Sequence, residues 1–213
     1  MPYNRPMTAR FAALGLAIVL AAPLAGPVER AQAQAPAPGV AEPDKAPREG
    51  KADRGRSIDF LFEALKAAPD AETAKLVEDR IWALWFASGS DTADLLMSRV
   101  KQAAEEKDVD LAVRLLDAII DLKPDYVEAW NRRATIYYMK RDFDRSIADI
   151  EQVLKREPRH FGALTGLGMM LQEMGEDKRA LQAFRRALEI DPHLQKIPEF
   201  VKALTDKVEG RDI

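Results

Sequence analysis

The chain of 213 residues contains no cysteine, which excludes disulfide staples, thiolate metal sites, cysteine nucleophiles and a lipidated N-terminal cysteine. Its two histidines, His160 and His193, have no acidic or histidine partner three or four residues further on, so a helical metal-ligand pattern is missing. A dominant charge sign is missing too. Lys and Arg number 32 against 35 Asp and Glu, and the net charge of −3 suits neither a polyanion binder nor an acidic solvating tail. No HExxH, GxSxG, Walker-type glycine loop or calcium loop occurs. The nearest glycine cluster, Gly162, Gly166 and Gly168, has no strand before it and falls inside a predicted helix. No nucleophile stands with a base and an orienting partner. The expectation is a protein without catalysis, cofactor or metal, and without a nucleic-acid or small-molecule substrate.

A membrane-spanning run is also absent. Arg5 and Arg10 are followed by an apolar run, Phe11 to Leu24, and then by Ala31-Gln32-Ala33. That order is the order of a secretory signal peptide cleaved after Ala33. The run is 14 residues long and contains Pro23, short of the 18 or more that argue a span, although an uncleaved anchor remains the alternative. Cleavage would remove three arginines and one glutamate, leaving 29 basic and 34 acidic groups, a net charge of −5 and no stable membrane anchor. Export to the bacterial periplasm is the expected address. Residues 34–56 carry four prolines and alternating charges but no large apolar residue beyond Val40, so they are expected to form a disordered Ala/Pro-rich linker. The remaining 157 residues are a normal size for one domain.

From Ser57 onward the apolar spacing is helical. Pro124, Pro158 and Pro192 stand 34 residues apart, each just beyond a helical stretch, where a missing N–H and a fixed φ stop a helix at little cost. Three units follow: 93–126, 127–160 and 161–194. In the third, Leu164, Leu167, Gly168 and Leu171 precede Ala180, Phe184, Ala187 and Pro192. In the second, Trp130, Ala134 and Tyr137 precede Ser146, Ile150, Val153 and Pro158, and the first is a weaker version with Leu96, Val100 and Ala103. On these residues the chain resembles the tetratricopeptide repeat family. The resemblance covers most of residues 57–194 and implies an all-α, right-handed α-solenoid.

The spacing carries its own physics. Trp130, Ala134 and Tyr137 lie at i, i+4 and i+7, and Ile147, Ile150, Val153 and Leu154 stripe the next helix, so the two close as an antiparallel hairpin. One hairpin leaves apolar surface exposed, and the next unit buries it. Residues 57–92 read as an atypical opening pair, with Phe60, Phe62, Ile81, Trp82 and Trp85 expected in the core. Residues 195–213 read as a capping helix and tail, with Ile197, Val201, Leu204 and Val208 along one side. Arg99 and Arg133 take a slot where the family has leucine, and each is expected to snorkel outward over its alkyl stem.

The resemblance implies a concave groove lined by the first helix of each unit, which holds a partner's peptide or helix. Carried over position by position, its residues are Lys101; Asn131, Thr135, Tyr138 and Met139; and Thr165, Met169, Gln172 and Glu173. The Lys/Asn/Arg set by which some members clamp a C-terminal carboxylate is incomplete, because Gly162 and Gly166 replace the basic residues of the third unit. The repeat pattern explains Gly168 but not these two glycines, each of which costs a helix about 1 kcal/mol relative to alanine. They form either a notch for a partner's backbone or aromatic side chain, or a seat for an adjacent helix. The expected function is a protein-binding scaffold of the cell envelope; a periplasmic assembly chaperone for exported polypeptides is the alternative.

Overall fold

The computed structural model describes residues 51–210; the expected leader 1–33 and residues 34–50 of the spacer lie outside it. Among the described residues there are nine helices and no strand. They are α1 (Lys51–Lys66), α2 (Ala71–Phe86), α3 (Asp91–Glu105), α4 (Val109–Leu122), α5 (Val127–Met139), α6 (Phe143–Arg156), α7 (Phe161–Glu173), α8 (Asp177–Ile190) and α9 (Ile197–Val208). None is long and apolar enough to cross a membrane.

The chain is an α-solenoid whose punctuation is local. Helices α4, α6 and α8 each end two residues before Pro124, Pro158 and Pro192. Between the two helices of each repeat, Lys107, Arg141 and Gly175 adopt left-handed φ values of 61°, 58° and 79°. The next N–H then reaches back to an orphan carbonyl: Asp108 to Ala103 at 2.8 Å, Asp142 to Tyr137 at 2.9 Å, Glu176 to Leu171 at 2.8 Å. This helix-ending turn recurs with the sequence period, and glycine relieves its left-handed strain only in the third repeat. Asp108 and Asp142 then cap α4 and α6 through their own side chains.

Packing follows from small residues at the helix crossings. The Ser146 hydroxyl, fully buried, donates to the Ala134 carbonyl at 2.7 Å, which holds α5 and α6 close. In the third repeat Gly168 faces the ring of Phe184, whose cluster includes buried Ala180, while Leu164 and Ala187 are buried in the cluster shared with the N-terminal helices. Trp130 packs into two neighbouring clusters, one built on α3 and α4, the other on α6 and α7. At the C-terminal end Leu204 and Ile197 of α9 cover Leu171 and Phe184, so the last hairpin does not end in exposed apolar surface.

Three expectations need correction. Helix α1 begins at Lys51, inside the stretch expected to be spacer, because no proline follows Pro47 there to stop it. Phe60 is 71% exposed rather than core, while Phe62, Ile81 and Trp85 are buried and Trp82 partly so. The pair α1–α2 is not the first layer of the stack: α2 packs on α5 and α7, and α3 and α4 take no substantial part in holding it. Its aromatic stripe matches apolar surface on α7 and α8, where Phe161, Leu164, Ala187 and Ile190 meet Leu61, Phe62, Leu65, Ile81 and Trp85. Buried Ser88, bonded to Asp94 and to the Ser90 carbonyl, fixes the turn that sends the chain on into α3.

A Cβ on Gly168 would stand 2.5 Å from the Phe184 ring, whereas one on Gly166 would touch nothing within 4 Å. Gly168→Ala is expected to lower stability by about 1–3 kcal/mol in urea denaturation, since the buried ring has little room to give. Gly166→Ala is expected to raise it by up to about 1 kcal/mol. Equal effects at the two sites would contradict this packing.

Candidate partner-binding face

Helices α3, α5 and α7 present the residues assigned to a groove, and the structure divides those residues into an open part and an occupied part. Gly162 is occupied. A Cβ there would meet the Trp82 indole at 2.8 Å, so the aromatic side chain that fills this half of the notch belongs to the chain's own α2. Gly166, one turn on, faces open space. The expected two-glycine notch is therefore corrected to one seat for Trp82 and one free position.

The rest of the face is polar and partly tied to itself. Asn131 donates to Glu128 at 3.1 Å, and the Thr135 hydroxyl donates back to the Asn131 carbonyl at 3.0 Å. The Tyr138 hydroxyl donates to Glu173, which also pairs with Arg141 at 3.2 Å. Burial, with Glu173 adding to it, pushes the Tyr138 phenol up to about 12, so it stays a donor at any ordinary pH. Met139 is 67% exposed, Met169 and Gln172 are half-buried, and the Thr165 hydroxyl is buried with no hydrogen-bond partner. Lys101, exposed and only 3.9 Å from Glu105, borders a bay of about 310 Å³ between α3 and α5. Phe86, Asp94, Met97, Ser98 and Arg132 complete the bay, with the Arg132 guanidinium 5.1 Å from the Phe86 ring.

Beside that bay lies a buried cluster that sequence reasoning missed. His160 caps α7: its Nδ1 accepts the Ala163 N–H at 3.0 Å, which leaves Nε2 to donate to Glu128 Oε1 at 3.0 Å. Both side chains are almost wholly buried, so the pair satisfies groups that would otherwise be costly to remove from water. Trp85 stacks on the His160 ring at 4.1 Å and 7°, and Trp82 meets it edge-on at 5.4 Å. The acid partner lies 32 residues upstream, out of reach of any local spacing test. One signal was available: Tyr126, His160 and Leu194 stand one repeat apart, and all three touch the N-terminal pair. The Tyr126 hydroxyl donates to the Phe86 carbonyl at 2.8 Å.

Arg133 also departs from expectation. It does not snorkel: its Nε and Nη2 donate to Asp149 at 2.8 and 2.7 Å, and its Nη1 donates to Asp117 at 2.6 Å. Hydrogen bonding to Asp149 is the main cause of a guanidinium pKa raised above its ordinary value. Asp149 is 4% exposed, so the fork clips α5 to α6 where the family uses leucine. Among the described residues no group of three or more His, Cys, Asp or Glu could hold a metal.

Comparison with known proteins agrees with this architecture. A tetratricopeptide repeat family model matches residues 99–149 and 137–194. A TPR repeat-containing protein of Rhizobium etli is 42% identical over 153 residues, covering 72% of this chain and 75% of that protein. The first TPR of Spaghetti (RPAP3), solved with an HSP90 peptide, superposes with a TM-score of 0.53 at 16% identity, over 56% of this chain and 95% of that one. The TPR2B domain of yeast Sti1, solved as a pHsp70 complex, gives 0.51 at 18% identity, over 55% of this chain and 99% of that one. At those identities the likeness speaks for the fold alone.

Arg133→Leu is expected to cost about 3 kcal/mol in urea denaturation, because Asp149 is left as an unpaired buried charge. Adding Asp149→Ala to that variant is expected to restore about 1–2 kcal/mol. A loss under about 1 kcal/mol in the single variant would mean that the fork is dispensable.

Proposed function

Since this chain belongs to the tetratricopeptide repeat family, whose members are protein-interaction modules, we propose that it holds a partner's peptide or helix on the face of α3, α5 and α7. The open positions support this reading: Gly166 with empty space before it, exposed Met139, half-buried Met169 and Gln172, and the bay beside Lys101. These are adaptable contacts rather than a charge trap, and methionine suits a partner surface of irregular shape. Two solved structures with this fold are of complexes, one with an HSP90 peptide and one with pHsp70, which supports a partner-binding role here. The chain acts by contact and not by covalent chemistry.

The place of action is proposed from the leader. Residues 1–33 have the build of an export signal, so the partner is sought in the bacterial cell envelope, with this chain as a scaffold there. A second reading, an assembly chaperone for exported polypeptides, draws on Met139 and Met174, exposed at the ends of α5 and α7. A chaperone would bind many unrelated segments weakly, whereas a scaffold would recover one or two folded partners.

A photo-cross-linker at Met169 is expected to capture that partner, and one at Glu151, exposed on α6, is not. Gly166→Ala is expected to stay folded while reducing the Met169 cross-link several-fold. Equal capture from both positions would remove the face from consideration.

A further inference from the structure

Because the layers repeat, residues 34 and 68 apart occupy the same place in successive layers. On α5 and α7 the side that meets the preceding repeat is closed. Tyr126, Ala129 and Ile136 are buried in a cluster with α3 and α4, and Ala163 and Met170 in a cluster with α5 and α6. Their counterparts on α3 are Thr92, Leu95 and Gln102, and all three are exposed, Leu95 at 58%. Among the described residues no repeat precedes α3, and the N-terminal pair packs over α5 and α7 instead. The first layer of the stack therefore shows solvent the side that every later layer buries, and carries a leucine there where the others have alanine.

Arg99 stands on this same side. Its counterpart Arg133 is fully engaged, with Asp149 of α6 at 2.8 and 2.7 Å and Asp117 of α4 at 2.6 Å. In the first repeat Leu115 takes the place of Asp149, and the residue 34 before Asp117 is Ala83. Arg99 is exposed, and among the described residues it has no hydrogen bond or ion pair. The acids on its side of α3 stand apart from it. Glu106 accepts from Gln102 at 2.9 Å, and Asp91 lies eight residues earlier, about 12 Å along the helix.

We propose that this open end of the stack is a second docking surface, whose occupant is a partner's amphipathic helix with a carboxylate flanked by aliphatic residues four before and three after it. That is the pattern of α4 where it meets α5: Asp117 serves Arg133, while Val113 and Ile120 share a cluster with Ala129 and Ile136. At the open end the carboxylate takes the whole fork of Arg99, because no acid of its own chain shares it, and the aliphatic pair closes over Leu95. Apolar neighbours keep water from a bidentate pair of this kind and so strengthen it. A second copy of the chain is the poorer occupant. Two such ends would meet arginine to arginine, and the far end of the stack is closed by α9. Lys101 and Met97 lie on another side of α3, beside the bay, so this surface is separate from the concave face and lets the chain hold two partners at once.

A fluorescent peptide of residues 108–123, which carries the α4 pattern, is the probe, added to the full chain. It is expected to bind saturably to the native sequence and about tenfold more weakly to Arg99→Gln. The peptide with Asp117→Asn is expected to lose a similar factor on the native sequence and nothing further on Arg99→Gln. Dependence on Arg99 separates this end from the seat of α4 inside the stack, which Arg133 serves. Both Arg99 and Leu95 are exposed, so Arg99→Gln and Leu95→Glu are expected to keep the native urea midpoint, and Leu95→Glu to abolish binding. Failure of the peptide to bind, or equal binding to Arg99→Gln, overturns the proposal. A concentration-dependent dimer in sedimentation that Leu95→Glu dissolves overturns it as well, since the occupant is then a second copy.

Discussion

The contact on which the arrangement depends is the flat stack of Trp85 on His160. His160 can take that ring only because its two nitrogens are already spoken for, one by the first turn of α7 and the other by Glu128 of α5. The imidazole is thus a fixed apolar plate with satisfied edges, and the indole shields a Glu–His pair that water would otherwise reach. Burying side chains of this size contributes about 1.5–3 kcal/mol each, more than the exposed Asp59–Arg159 pair can supply. Aromatic packing therefore holds the N-terminal pair in place, and the ion pairs tune it.

What could be read from the sequence was what repeats. The prolines 34 residues apart, the stripe through Trp130, Ala134 and Tyr137, and Gly168 against Phe184 are local or periodic signals, and each finds its place in the helices. What could not be read was what happens once. Arg133 resembled a misplaced charge because its partners, Asp117 and Asp149, lie 16 residues to either side, on the helices before and after its own. The docking of α1–α2 brings together residues such as Asp59 and Arg159, 100 apart, for which no spacing rule exists. Gly162 and Gly166 were indistinguishable as letters. Only the third dimension shows that one receives an indole and the other faces open space.

The same geometry gives the face two regions with different character. Near the start of α5 and α7 it is apolar, deep and filled by α2. Towards the ends of those helices it is shallow, polar and adaptable, with Tyr138 and Glu173 joined across neighbouring repeats.

The docking of the N-terminal pair on the repeats has a direct readout in distance. The chain has no cysteine, so two nitroxides can be placed without removing a native thiol, one at exposed Ala67 after α1 and one at exposed Glu189 on α8. Pulsed electron–electron double resonance on the full chain should give a single narrow separation in the otherwise native sequence, and a longer, broader one in Trp85→Ala, which removes the stack on His160. An unchanged, narrow separation in Trp85→Ala would show that the stack does not hold the pair in place, and would contradict the account.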